Sequence, residues 1–138
     1  MSLQYSVNVR NGQLDQVEAV AGASAKLQLR SGSPPASCGA ADSGTLLCEM
    51  TLPSDWMAAA SSGSKSKLGT WSGTGAAAAG SGTAAGHFRI KDSAGTTCHV
   101  QGTVTVTGGG GDMTVTNTSI ANGQAVTVDS FTLTAGNA

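Results

Sequence analysis

Charge is scarce in this chain of 138 residues, where Asp, Glu, Lys and Arg together make up 11%. An ordinary soluble domain carries about 25%. Seven basic and eight acidic residues leave a net charge of −1, so there is no electrostatic footprint for nucleic acid or an anionic membrane surface. No apolar run approaches the ~20 residues needed to span a bilayer. The opening Met1-Ser2-Leu3-Gln4-Tyr5 has no basic stretch leading into an apolar one, which predicts a chain made without a secretory signal and starting in a cytoplasm. Aromatic residues amount to 4%, predicting a core of Val, Leu, Ile, Met and Ala. The three cysteines, Cys38, Cys48 and Cys98, lack CxxC spacing and read as free thiols, with a Cys38–Cys48 bridge left open. A surface this poor in charge is hard to keep soluble alone, so part of it is expected to be covered by copies of itself or by a partner.

What the chain does have is alternation. Thr103-Val104-Thr105-Val106-Thr107, Met113-Thr114-Val115-Thr116, Val126-Thr127-Val128 and Phe131-Thr132-Leu133-Thr134 each place apolar and hydroxyl side chains at successive positions. On a strand that gives one apolar face and one neutral polar face. Twenty glycines, about twice the usual ~7%, suit many turns. The length fits one domain able to bury roughly 68–70% of its unfolded surface.

The first segment reads as the one helix. Ser6 is the N-cap candidate, Val7, Leu14, Val17 and Ala21 form one stripe, Asp15 and Glu18 face away, and Gly22 sits where the chain leaves the helix. Asn11-Gly12 inside the pattern moves the expected start toward Asn11. Strands are expected over 26–30, 45–52, 68–71, 87–91, 97–107, 113–116 and 124–134. Ser31–Gly44, with Pro34-Pro35, reads as a loop; residues 57–60 read as a short helix or a strand; and 73–86 has no period. Asp92-Ser93-Ala94-Gly95, Gly108–Asp112 and Asn122-Gly123 read as turns. Val126 and Val128 lie on even positions whereas Phe131 and Leu133 lie on odd ones. That phase change near Asp129-Ser130 predicts a bulge or a bend between two sheets, and with seven or eight strands it points to a sandwich or jelly roll.

Candidate chemistry is thin. Adjacent residues on a strand point to opposite faces, so Cys98 and His99 cannot form a nucleophile–base dyad without a bulge, and Cys98 shares the inward phase of Val100. His87 and His99 fall outward, as candidate cross-strand neighbours beside Arg89 and Lys91, with no third metal ligand in phase. Ser62-Gly63-Ser64-Lys65 and Ser64-Lys65-Ser66-Lys67 match S-x-x-K in a loop-like context, without the companion motifs. Gly73-Thr74-Gly75 and Gly108–Gly111 lack the lysine or helix that a phosphate cradle needs. Asn117-Thr118-Ser119 is a formal glycosylation acceptor. Trp56 and Trp71 suit a core or a subunit contact better than an exposed sugar platform.

The chain resembles small virion structural proteins of tailed bacteriophages over most of its length. The resemblance rests on Tyr5-Ser6-Val7, Arg10-Asn11 and Leu14-Asp15, on Ser31-Gly32 and Pro35-Ala36-Ser37-Cys38, and on Leu52-Pro53-Ser54-Asp55-Trp56-Met57-Ala58-Ala59. It continues in Gly86-His87-Phe88-Arg89-Ile90 and Phe131-Thr132-Leu133-Thr134-Ala135. Within that group it is most similar to jelly-roll cement, or decoration, proteins of phage heads. The resemblance implies a non-enzymatic protein on the outer capsid surface of the virion, a homodimer or homotrimer holding the major capsid protein lattice. It brings no catalytic, cofactor or metal residue, and neither nucleic acid nor membrane is an expected partner. The expected architecture is an all-β, jelly-roll-like antiparallel sandwich over residues 23–138, preceded by a helical segment over residues 1–22. That segment is the first candidate for the oligomer or capsid contact. A tail or fibre component, or a carbohydrate-binding adhesin using Trp56 and Trp71, is the alternative.

Overall fold

In the computed structural model residues 2–136 are described; Met1, Asn137 and Ala138, included in the two expected segments, lie outside them. Helix α1 (Val7–Ala21) begins at Ser6, whose hydroxyl accepts from the Val9 N–H, and ends at Gly22 with φ of 87°. It starts a full turn before Asn11 because the Ser6 cap outweighs the Gly12 penalty. Nine strands follow: β1 (Lys26–Ser31), β2 (Leu46–Thr51), β3 (Ser64–Ser66), β4 (Ser72–Thr74), β5 (Thr83–Lys91), β6 (Cys98–Val106), β7 (Met113–Val115), β8 (Ser119–Ile120) and β9 (Ala125–Thr134). A 3₁₀ turn at Ala77–Ala79 precedes β5. Leu68–Trp71, expected as a strand, is instead the link between β3 and β4, and 57–60 is extended rather than helical.

These strands do not build two sheets. They follow one path, β2-β1-β5-β6-β7-β9-β3, with β4 added beside β9 and β8 beside β5, curled into a half-barrel. The jelly-roll sandwich is therefore overturned, for two physical reasons. First, β6 and β7 are parallel, Val104 opposite Met113 and Val106 opposite Val115, whereas the sandwich needs antiparallel neighbours. Parallel neighbours usually need a crossover of a dozen or more residues; here residues 107–112 suffice. Gly108 and Gly110 take φ of 87° and 83°, open to glycine at no steric cost. The Gly111 N–H donates to Thr105 Oγ1 and the Asp112 N–H to Thr103 Oγ1, while the Asp112 carboxylate accepts from Thr103. The glycine run thus folds the chain back along β6 and starts it again in the same direction.

Second, register slips recur between Leu29 and Arg30, Ile90 and Lys91, and Thr114 and Val115. Each adds local twist and bends its strand. The last passes over Asp129, so the phase change read in the sequence is a bulge that curls one sheet and joins no second one. The Asp129 carboxylate accepts from the hydroxyls of Thr107 and Thr116, which secures the kink.

The concave side holds the core. Contrary to the expectation from composition, four of the five aromatics form its spine. Trp56 and Trp71 lie 5.9 Å apart, Trp71 and Phe131 5.6 Å, and Phe88 meets Phe131 edge-on at 5.4 Å. Leu27, Leu29, Met50, Met57, Ile90, Met113 and Val115 pack around them. On the convex side the backbone of β5 lies against the loop after β1: a Cβ on Gly86 would collide with the Gly32 carbonyl. Gly86→Ala should therefore destabilise by about 1–3 kcal/mol through forced backbone displacement, read as a lower denaturant midpoint at unchanged m-value.

Candidate functional site

The outward face of β1 and β5 carries Gln28, Arg30, His87, Arg89 and Lys91, and it is not exposed. Loop 32–44 lies over it, and Arg89 is 1% exposed. The covering loop has few apolar side chains to bury, so it binds with its carbonyls. Arg89 Nη2 donates to Cys38 O at 2.7 Å and to Ala40 O at 3.1 Å, while Nη1 donates to Asp42 Oδ1 at 2.6 Å. Lys91 Nζ donates to Asp42 Oδ2 at 2.6 Å, and Arg30 Nη2 to the same oxygen at 3.1 Å. His87 Nδ1–H donates to Gly32 O and Gln101 Nε2 to Pro35 O. Burial pushes the Asp42 carboxyl up, but Lys91, Arg30 and Arg89 more than offset it and hold it below its ordinary 3.8. The sequence carried a signal for this clamp. Four of seven basic residues, Lys26, Arg30, Arg89 and Lys91, fall on one face of two paired strands, and that much charge needs a counter-ion.

All three thiols are free, as the sequence reading expected, and Cys48 is fully buried in the core. The placements of Cys98 and of the histidines are corrected. Cys98 does not share the inward phase of Val100: the slip at Ile90/Lys91 pairs Cys98 with Lys91 and passes over His99. The thiol therefore joins the outer face with Arg89. Burial, and then the neighbouring Cys98, push the Cys38 thiol up to about 11. Both cysteines line a cleft of ≈ 500 Å³ with Ala40, Asp42, Arg89 and Lys91. The two histidines are not cross-strand neighbours, since His87 pairs with Thr103 while His99 lies near Asp92. Among the described residues no cluster of three or more His, Cys, Asp or Glu is placed to hold a metal.

A second polar cluster docks α1, through two residues expected to face away. Asp15 and Glu18 face the protein. Lys65 on β3, 3% exposed, donates to Asp15 Oδ1 at 2.8 Å, lies 3.2 Å from Glu18 Oε2, and donates to Ala58 O. Glu18 Oε1 accepts from the N–H groups of Trp56 and Met57, Asp15 from that of Ala60, and Asn11 Oδ1 from that of Gly63. Burial lowers the Lys65 pKa, but the bonds from Asp15 and Glu18 outweigh it and raise it above 10.5. A lysine held charged in this way is no general base, which removes the Ser62–Lys65 match, while Lys67 of the second match donates to the Gly69 carbonyl.

Of the expected stripe, Leu14 and Ala21 are buried, Val17 packs against the core and Val7 is 44% exposed. Other apolar side chains at this end also stand in solvent: Leu3, ahead of the helix, is 69% exposed, Val9 47% and Val20 60%. Trp56 and Trp71 are fully buried, and their indole N–H groups donate to Gly22 O and Leu68 O; neither offers a face to a sugar. Asn117 is exposed, with its side chain accepting from the Ser119 N–H. No described helix is long and apolar enough to cross a membrane. Comparison with protein-family models, with curated proteins and with solved structures gives no match.

The loop clamp is testable by charge. Asp42→Asn leaves Arg89 and Lys91 buried without a counter-ion and should destabilise by about 3 kcal/mol, the low end for a broken buried pair because Asp42 keeps a third of its side chain in solvent. The folded carboxyl titrates below its unfolded value, so its contribution is complete above that value and lost as pH falls through the folded pKa. Melting temperatures of wild type and variant should therefore differ at neutral pH and converge well below pH 3.8.

Proposed function

We propose that this protein is a non-enzymatic structural component of a tailed-phage virion, a cement or decoration protein that binds the capsid lattice as a homo-oligomer. The observation that carries the reading is the set of exposed apolar side chains at the N-terminal end. Leu3, ahead of α1, and Val7 and Val9 in its first turn stand in solvent, and the helix is fixed to the body through Asn11, Asp15 and Glu18. A rigidly mounted apolar edge on a body with little surface charge suits association with a partner surface. The resemblance to phage virion proteins favours a capsid shell and further copies of this chain as that surface. Burial of Trp56 and Trp71 weighs against the adhesin alternative.

Replacing Leu3, Val7 and Val9 together by Ser touches no buried group, so the melting temperature of the isolated chain should hold. Oligomerisation by light scattering and binding to capsids should both be lost. Capsids assembled without the protein should release DNA at a lower temperature. Equal thermal stability of those capsids, or density for the protein on the tail rather than on head capsomers in electron micrographs, would sink the proposal.

A further inference from the structure

Loop 32–44 is held to the sheet by hydrogen bonds and ion pairs alone, and its attachment point brings together two thiols far apart in sequence. Arg89 draws the Cys38 carbonyl onto β5, and the register slip at Ile90/Lys91 turns Cys98 toward the same side. Both cysteines line the cleft beside the clamp, each partly exposed, so a small reagent has access from solvent. Cys48, fully buried in the core, does not.

We propose that Cys38 and Cys98 are a disulfide-forming pair, a covalent modification site that staples loop 32–44 to the start of β6 when the protein meets a small-molecule disulfide. In the chemistry, one of the two thiols loses its proton and attacks a sulfur of the reagent, expelling one thiolate and leaving a mixed disulfide. The second cysteine, as thiolate, attacks the protein sulfur of that intermediate and expels the other thiolate. Two protein thiols are oxidised, one external disulfide is reduced to two thiols, and the two protons released by the protein match the two thiolates formed. The two sulfurs share the cleft beside Arg89 and must close to the ~2.05 Å of a disulfide. The weak bond from Cys98 Sγ to Val100 O is given up.

Two consequences distinguish this pair from incidental neighbours. Only the thiolate attacks, and the Cys38 thiol sits at about 11, so closure is slow at neutral pH and accelerates with alkalinity. The bridge also closes a long loop, which constrains the unfolded chain strongly.

The test uses the full reduced chain incubated with oxidised glutathione, then thiol counting in denaturant and peptide mapping without reductant. Free thiols should fall from three to one. The linked peptides should contain Cys38 and Cys98, and the melting temperature should rise by about 10 °C. Cys38→Ser and Cys98→Ser variants should instead accumulate a glutathione adduct on the remaining member and show no rise. Three free thiols at equilibrium, a linkage that includes Cys48, bridges found only between chains, or the same rise in either variant would overturn it.

Discussion

A buried arginine is the constraint around which the convex side of this protein is arranged. Arg89 sits on the central strand of its sheet segment with almost no solvent contact. Removing a guanidinium from water is costly unless its donors and its charge are both matched. Loop 32–44 matches the charge and both terminal nitrogens, with carbonyls from Cys38 and Ala40 and the carboxylate of Asp42, and leaves only Nε without a partner. The same carboxylate neutralises Lys91 and Arg30. Once the loop is held there, His87 and Gln101 become covered and bond to its Gly32 and Pro35 carbonyls. A segment with no periodicity and two adjacent prolines is ordered because strand side chains satisfy its backbone. Gly86 completes the fit, since any Cβ there would push the loop away.

The helix follows the same logic with the signs exchanged. On β5 the strand is cationic and the loop accepts; at α1 the helix is anionic and residues 56–65 donate. In both places a buried cation, Arg89 or Lys65, is met by one element's carboxylates and by backbone carbonyls. The helix also buries Leu14 and Ala21 against the core, and still leaves Val7, Val9 and Val20 in solvent. Those exposed apolar side chains, with Leu3, are the main physical support for reading the N-terminal end as an assembly surface.

Much of the local structure was legible in the sequence. The Ser6 and Gly22 caps follow from residue chemistry alone, as do the turn at Asp92–Gly95, the alternation of Leu27 and Leu29 and the phase change at Asp129. Each depends on neighbours in the chain. What was not legible depends on what covers what. Alternation separates the two faces of a strand but does not say that both are buried, so His87, Arg89 and Lys91 read as a solvated face. Periodicity found the inward stripe of Leu14, Val17 and Ala21 but sent Asp15 and Glu18 outward, because the lysine they meet, Lys65 on a distant strand, is not visible from residues 7–21. Gly108–Gly111 announced a turn without announcing its direction, and direction decided between two sheets and one. Counting aromatics gave their number but not their convergence into one spine.

The place of β9 in the sheet also fixes an order of events. Its ten residues pair with β4 at one end, with β7 in the middle and with β3 at the other, and β9 is the only strand with which β3 or β4 forms a ladder. During synthesis those segments leave the ribosome with their edges open and must wait for residues 125–134. Native structure at β3 and β4 is therefore gated by β9, the last of the described strands, and such long-range pairing slows folding. In the interval the chain has unsatisfied strand edges and exposed apolar side chains together, so crowding with sister chains during that window is the hazard its topology creates.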